Sequence, residues 1–129
     1  MAADFPKSRR LLTSSEFSSV FNATEFRCGS RDLLLLVRSN QLGFPRIGFV
    51  LAKKHVKLAV QRNRIKRIVR ESFRLQQTKL DTYDYVVMAR ATAVELSDQQ
   101  LRNAIDKLWF KLRPAYDNRR KTGNNRRQR

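Results

Sequence analysis

The stretch from Lys53 to Arg74 constrains the fold most, because it combines a helical apolar stripe with strongly one-sided charge. From Leu58 onward it contains neither Gly nor Pro, and buried-type residues recur at the spacing of one helix face. These residues are Ile65, Ile68, Val69, Ser72 and Phe73. The stretch carries nine Lys or Arg residues against a single acid, Glu71. The pattern predicts a helix that packs on the domain through one side only.

The other side of this helix predicts contact with a polyanion. Asn63, Lys66, Arg67, Arg70 and Arg74 follow one another at steps of one to four residues. Like charges three or four apart destabilise an isolated helix by about 0.2–0.5 kcal/mol per pair. A solvated face usually mixes charges of both signs, whereas this one does not. A bound polyanion that relieves the repulsion therefore explains the pattern better than exposure to solvent.

The distribution of charge favours nucleic acid over a membrane. The formal net charge is +17, from 28 Lys and Arg and 11 Asp and Glu. Residues 53–74 contribute +8 and residues 119–129 contribute +6, which leaves +3 for the rest. Neutralising a phosphate backbone releases counterions and favours such blocks. The basic helix lacks the Trp, Phe and Leu face that inserts into lipid, so we expect no membrane partner.

The sequence offers little for catalysis within the chain itself. His55 is the only histidine, so a catalytic triad would have to use it as the base. No other member of a Ser/His/Asp or Cys/His arrangement lies near it in the sequence. The carboxylates are scattered, and no Gly-rich phosphate loop or CxxC motif occurs. Cys28 is alone, which fits a reducing compartment, and the first ten residues lack an apolar signal region. We expect a cytoplasmic protein without catalytic or metal-ligating residues or an organic cofactor.

The amino-terminal half predicts one helix and two or three strands. A flexible basic arm over 1–10 precedes a capping box at 13–16 that starts a helix ending near Asn22. Apolar runs predict strands within 31–38 and 46–52, antiparallel if their connection is a hairpin, and a weaker strand at 25–28. Gly48 inside the strand at 46–52 indicates a bulge or a close backbone approach.

The carboxy-terminal half completes an α+β prediction. Tyr83–Ala89 reads as a buried strand, parallel to 46–52 because the long helix connects them. A second capping box at 97–100 starts a helix that Pro114 is expected to end. The order is αβββαβα, or αββαβα without the weak strand, as a two-layer sandwich of helices on a mixed sheet. We predict one domain over 1–116 and a disordered basic tail over 117–129.

Residues 58–74 closely resemble the "RNR" signature of bacterial ribonuclease P protein subunits. The likeness extends to Arg10-Leu11, to the segment 46–54 and to the segment 83–90. The resemblance implies a small basic protein that joins a large catalytic RNA, which hydrolyses precursor tRNA with Mg²⁺ to leave the mature 5′ end. It implies that the protein binds this RNA and the 5′ leader of the precursor. It also implies a left-handed βαβ crossover, against the usual right-handed preference.

The resemblance also assigns site residues by matched position. The implied RNA-binding residues are Lys53, Lys54, Arg62, Asn63, Arg64, Lys66, Arg67, Arg70 and Arg74. The implied leader cleft contains Phe17 and Phe21, which by spacing alone would be assigned to core packing. Leu36 stands where the family has a strand aromatic, so stacking from that strand is in doubt while an apolar floor remains.

One alternative stays open from another class. A ribosomal or RNA-chaperone protein would also use a basic helix on structured RNA, with no catalytic partner. The discriminating feature is a single-strand cleft beside the basic helix, which a bland RNA binder does not need. A DNA-reading helix-turn-helix fits less well, because the basic helix lies between strands rather than after a short helix turn. No obligate protein partner is evident.

Overall fold

The computed structural model describes residues 10–11, 14–40, 42–76, 80 and 82–122, the side chains of residue 14 and of residues 113–122 apart. In chain order the elements are α1 (Ser14–Asn22), β1 (Phe26–Gly29), β2 (Leu33–Ser39), β3 (Arg46–Val50), α2 (Ala59–Gln76), β4 (Tyr83–Ala89) and α3 (Asp98–Thr122). A 3-10 turn at Ala91–Glu95 joins β4 to α3. The α+β class, the order αβββαβα and the weak first strand are confirmed.

The four strands form one mixed sheet in the order β1-β2-β4-β3. Strand β4 is antiparallel to β2 and parallel to β3, which confirms the predicted βαβ unit. The connection between β2 and β3 is not a hairpin, because β4 lies between the two strands in the sheet. The turn at Gly43, whose φ of 87° favours glycine, reverses the chain without pairing the two strands. The expected handedness of the crossover stays a prediction.

The register gives the sheet two different faces. We call the side that α2 and α3 cover the helix-pair face; its strand residues include Leu35, Ile47 and Tyr85. We call the opposite side the α1 face. Its strand residues are Leu34, Leu36, Gly48, Val50, Val86 and Met88. The predicted two-layer sandwich corresponds to the sheet with α2 and α3 packed on its helix-pair face. Helix α1 lies on the other side of the sheet and packs there through Val20.

Helix α2 docks as its pattern predicts. Ile65, Ile68, Val69, Ser72 and Phe73 are all buried. The buried hydroxyl of Ser72 donates to Asp106 Oδ1 at 2.5 Å and accepts from Trp109 Nε1 at 2.8 Å. Ser72 therefore joins α2 to α3 inside an apolar core.

The ends of two helices test the capping predictions. The box that starts α3 is confirmed, because Gln100 N donates to Ser97 Oγ at 3.1 Å and Ser97 N donates to Gln100 Oε1 at 2.9 Å. Thr13, the first residue of the other predicted box, lies outside the described residues.

The predicted end of the last helix at Pro114 is wrong, since α3 continues to Thr122 and includes 117–122 of the predicted tail. Proline inside a helix loses one backbone hydrogen bond and crowds the carbonyl four residues before it, but the Ala, Arg and Lys residues after it favour helix. Several of those residues are cations, which interact favourably with the carboxyl end of a helix. Residues 123–129 lie outside the described part of the chain.

The predicted amino-terminal arm is described only at its last residue. Arg10 makes an isolated parallel bridge with Ile47, and Leu11 N donates to Ile47 O at 2.8 Å. Arg10 therefore lies on the outer edge of β3 rather than in a flexible arm. Residues 1–9 lie outside the described residues.

Candidate nucleic-acid interface

The turn before α2 presents lysines, and Arg62 holds that turn in place. Lys53 and Lys54 lie between β3 and α2 and are exposed. Arg62 Nη1 donates to the carbonyl oxygens of Val56 at 2.9 Å and Lys57 at 3.0 Å. Part of the Arg62 fork is therefore engaged within the chain. Its arrangement fixes the backbone that carries the lysines, a contribution that the sequence pattern did not reveal.

One flank of α2 faces the start of α3 and is ion-paired. Arg64 Nη1 lies 2.7 Å from Asp98 Oδ1, and Arg67 Nη2 lies 3.7 Å from Asp98 Oδ2. The hydrogen bond from Arg64, followed by the charges of both arginines, lowers the pKa of the Asp98 carboxyl. We call Arg64 and Arg67 the paired flank. Arg67 still exposes 66% of its side chain, so solvent and ligands reach it.

The other flank of α2 faces β3 and remains open. At 100° per residue, Asn63, Lys66 and Arg70 are neighbours on this side, and we call them the open flank. The Arg70 guanidinium lies 5.3 Å from the ring centroid of Phe49. Its buried Nε has no hydrogen-bond partner among the described residues. Burial, and then the charge of Arg10, lowers the pKa of Arg70. A partly desolvated cation beside another cation favours a bound anion.

The remaining predicted RNA-binding residues differ in their surroundings. Arg74 Nη2 lies 2.6 Å from Glu71 Oε2, which raises the pKa of Arg74. Within the described part of the chain, Lys53, Lys54 and Lys66 make no ion pair. The expected one-sign surface is therefore divided. Acids from α3 and from α2 itself neutralise one part. The turn that carries Lys53 and Lys54, which we call the lysine turn, keeps its charge, and so does the open flank.

The three predicted cleft residues all belong to the α1 face or its rim. Phe17 rests on the backbone of Gly48, where an added Cβ would lie 2.7 Å from the Phe17 ring. This confirms the predicted close approach at Gly48. Leu36 is buried in the same cluster at 7% exposure, and Phe21 on α1 is 42% exposed. Half-buried Leu34, Val50 and Met88 extend the apolar floor beyond α1.

The extended floor was not predicted from the sequence. Leu34 pairs with Met88, and Met88 pairs with Val50, so the three side chains form one row across the sheet. The available signal was the two-residue spacing between Leu34 and Leu36, since alternate residues of a strand share a face.

A half-buried arginine attaches α1 to the sheet beside this cleft. Arg46 donates through Nε and Nη2 to the two carboxylate oxygens of Asp84, each at 2.8 Å. Its Nη1 donates to Glu16 Oε2 on α1, also at 2.8 Å. The hydrogen bond with Asp84 is the main cause that raises the pKa of Arg46. The missed signal was Asp84 itself, because an acid inside a buried strand requires a partner.

Strand β3 brings the cleft and the open flank together. It is an edge strand, with Gly48 and Val50 on the α1 face and Phe49 on the helix-pair face beneath Arg70. The apolar cleft and the open flank of α2 are therefore separated by one strand. An apolar cleft beside a basic helix is the feature that we expect to distinguish the two hypotheses. Among the helices described, none has the length and apolar character needed to cross a bilayer.

The fold and the interface define an α+β nucleic-acid-binding protein with a basic helix beside an apolar cleft. Residues 5–113 match the family model Ribonuclease P. The chain is 46% identical over 112 residues to the ribonuclease P protein component of Pseudomonas aeruginosa, covering 87% of this chain and 83% of that protein. It is 50% identical over 105 residues to that of Serratia proteamaculans, covering 81% and 87%. The chain belongs to the ribonuclease P protein family.

Solved structures agree with this assignment. The RNase P protein from Thermotoga maritima matches with a TM-score of 0.68 at 27% identity, covering 78% of this chain and 94% of that one. The protein from Staphylococcus aureus matches with a TM-score of 0.77 at 24% identity, covering 83% and 97%, and supports the fold. The expected role as protein component of a ribonucleoprotein endoribonuclease, with the ribonuclease P RNA as partner, is confirmed. The ribosomal or chaperone alternative receives no support.

Proposed function

We propose that the chain holds the ribonuclease P RNA with the lysine turn and open flank of α2, and holds the 5′ leader of precursor tRNA in the cleft on the α1 face. The observation that carries this proposal is the position of β3, which has the open flank on one side and the apolar cleft on the other. A leader that leaves the catalytic RNA near α2 has only one strand to pass before it reaches the cleft.

Charge supplies the affinity for the catalytic RNA. Binding to phosphate is favoured because cationic side chains release the counterions condensed on the RNA. The side chains that can do so are Lys53, Lys54, Lys66 and Arg70. Phosphate binding at Arg70 is favoured further, because its buried Nε lacks a hydrogen-bond partner within the described residues. The paired flank contributes less, because Arg64 and Arg67 must exchange Asp98 for phosphate.

Aromatic and apolar surface supplies the preference for precursor. A base stacked on an aromatic ring is worth about 1–3 kcal/mol and tolerates any sequence, which suits leaders that differ between tRNAs. Phe21 offers an exposed ring, and Phe17 offers the part of its ring that Gly48 does not cover. Leu36 contributes an apolar floor rather than a stacking ring. Mature tRNA lacks the leader, so these contacts act on the precursor alone.

The hydrolysis itself is assigned to the RNA. Among the described residues, no three His, Cys, Asp or Glu side chains are grouped to hold a metal ion. We assign Mg²⁺ to phosphates of the RNA subunit and substrate, where the ion would stabilise developing charge. The chain's own residues bind and orient the two RNAs in the cytoplasm, where we expect the complex to work.

Reconstitution tests the division of labour. Precursor tRNA is incubated at low Mg²⁺ with nuclease-free protein, with catalytic RNA, and with both. We expect cleavage at the mature 5′ end only in the complete mixture, and none from protein alone. Cleavage by the protein without RNA would place catalytic residues in this chain and contradict the proposal.

A pair of exposed phenylalanines tests the leader cleft. We expect Phe21→Ala to lower the affinity ratio of precursor to mature tRNA by about fivefold or more in the reconstituted complex. Phe110→Ala is the matched control, since Phe110 is 67% exposed on α3, away from the α1 face. Equal effects of the two substitutions would remove leader binding from the α1 face.

A further inference from the structure

We propose that Arg46 and Gly48 are positioning residues that set how α1 sits on the sheet and thereby fix the width of the leader cleft. This inference rests on the proposed function, because it concerns recognition of the leader. Gly48 is buried and Arg46 is half-buried, and we infer that both act through the side chains that α1 presents.

The orientation of α1 needs an external determinant. The helix has only nine residues, and isolated helices of that length are marginal in water. Val20 is its one fully buried side chain within the described residues. Phe17 packs half-buried against the same cluster, and two neighbouring apolar contacts still leave a short helix free to rotate about its axis and to shift in depth on the sheet. Phe17 and Phe21 can therefore keep a constant separation from the floor only if other contacts hold α1.

Arg46 supplies the contact that sets rotation. The Arg46 side chain is 15% exposed, and its guanidinium joins Asp84 on β4 to Glu16 on α1 through three hydrogen bonds of 2.8 Å. The planar fork fixes the direction of the Nη1–Glu16 bond because Asp84 holds the other side. Glu16 directly precedes Phe17, so the direction of this bond determines where the Phe17 ring points.

Gly48 supplies the contact that sets depth. A Cβ at this position would lie 2.7 Å from Leu11 Cβ and 2.7 Å from Phe17 Cε1, closer than side chains approach. Arg46 and Gly48 are two residues apart on β3 and so lie on one face, about 7 Å apart along the strand. They contact the consecutive residues Glu16 and Phe17. Two attachments at this spacing fix both the depth and the rotation of a short helix.

The test uses the reconstituted complex and reads leader discrimination separately from folding. The variants are Arg46→Lys, which keeps the charge but loses the fork, and Gly48→Ala. The controls are Arg31→Lys at an exposed arginine and Asn103→Ala at an exposed position of α3, which lies on the helix-pair face. Melting temperature, RNA-subunit affinity and the precursor-to-mature affinity ratio are measured for each.

We expect Arg46→Lys and Gly48→Ala to lower that ratio on the order of fivefold, with RNA-subunit affinity unchanged and both controls like wild type. A residue that acts only on stability would reduce every affinity in proportion to the folded fraction and leave the ratio constant. An unchanged ratio in folded Arg46→Lys and Gly48→Ala would overturn the inference.

Glu16 keeps the test decisive if Arg46→Lys or Gly48→Ala does not fold. Glu16→Leu removes the acceptor on α1 while Arg46 keeps Asp84, and it should lower the ratio. Glu16→Gln restores an acceptor at the same reach and should recover most of it. No difference between these two variants overturns the inference. If wild type shows no preference for precursor, the proposed function fails as well; if only Phe21→Ala lowers the ratio, the proposed function stands and the inference alone fails.

Discussion

The two faces of the sheet differ in how much they bury. Among the described residues, twenty buried hydrophobic side chains form the cluster on the helix-pair face, against four on the α1 face. Full burial of a large apolar side chain contributes about 1.5–3 kcal/mol, so the helix-pair face carries most of the stability. The thin α1 layer leaves Leu34, Val50 and Met88 half-buried, and it presents Phe21 exposed on α1. The main core and the proposed leader cleft therefore lie on opposite sides of one sheet.

The helix-pair face is built around aromatic contacts. The ring of Trp109 lies 5.7 Å from that of Tyr85 and 6.1 Å from that of Phe73, measured between centroids. Trp109 also donates to Ser72, so the same residue joins the apolar core to the polar link between α2 and α3. Substitution of Trp109 should therefore lower the stability of the whole domain, whereas a substitution on the α1 face should change the structure only locally.

The largest effect is therefore expected at Trp109. Trp109→Ala should lower the free energy of unfolding by about 3–5 kcal/mol, because it opens a cavity where three rings meet. Phe110→Ala, one residue further along α3 and exposed, should change it by about 0.5 kcal/mol or less. Urea unfolding followed by circular dichroism measures both. Similar losses in the two variants would contradict the assignment of stability to the helix-pair face.

The polar link in that core should give the next largest effect. Ser72→Ala removes the acceptor of the buried Trp109 N–H, and we expect a loss of about 1–3 kcal/mol in unfolding free energy. Ser18→Ala, on the exposed side of α1, serves as the control and should be nearly neutral. Affinity for the RNA subunit should be unchanged in the folded Ser72 variant. A neutral Ser72→Ala would show that another group satisfies the indole nitrogen.

Sequence patterns predicted what depends on local spacing. The helical period placed Ile65 and Phe73 inside the core, and the capping box placed the start of α3 at Ser97. Strand pairing was not predictable in this way, because the turn at Gly43 reverses the chain equally well whether or not β4 enters between β2 and β3. The prediction that the last helix ends at Pro114 was wrong, since the residues after this proline favour helix.

The candidate site shows the same limit. The spacing of cations in α2 identified the helix, but it could not show that Asp98, 34 residues after Arg64, neutralises one flank. Likewise Glu16, Arg46 and Asp84 come from three separate elements, and only the folded sheet brings them together. Long-range charge pairing lies outside what local periodicity can predict.

The open flank should separate binding from stability within a single helix. Arg70→Gln should weaken binding to the RNA subunit by about tenfold and reduce the slope of log affinity against log salt by about 0.7–0.9. Arg67→Gln should have a smaller effect, because Arg67 already shares Asp98 with Arg64. Filter binding over a salt series, with melting temperature as the control, measures both variants. Equal losses at the two positions would show that the paired flank contacts RNA as strongly as the open flank.

The smallest effect on stability is expected from the ion pair of Asp98 with Arg64 and Arg67 on the paired flank. The pH dependence of the melting temperature should show it. The folded-state pKa of Asp98 is lowered, chiefly by its hydrogen bond from Arg64. A lowered pKa means that the pair stabilises the fold above the ordinary carboxyl pKa, and that this stabilisation is lost as pH falls through the folded value. Asp98→Asn should therefore melt slightly below wild type at neutral pH, and the two curves should converge below about pH 4.

The same substitution should have the opposite sign in RNA binding. Freed from Asp98, Arg64 and Arg67 no longer exchange a carboxylate for phosphate, so affinity for the RNA subunit should rise about twofold at neutral pH. Glu95→Gln is the control, since it removes one exposed acid from the turn before α3 without touching the paired flank. If Glu95→Gln raises the affinity equally, the gain reflects net charge alone. If the melting difference of Asp98→Asn persists at low pH, it comes from the helix end rather than from the ion pair.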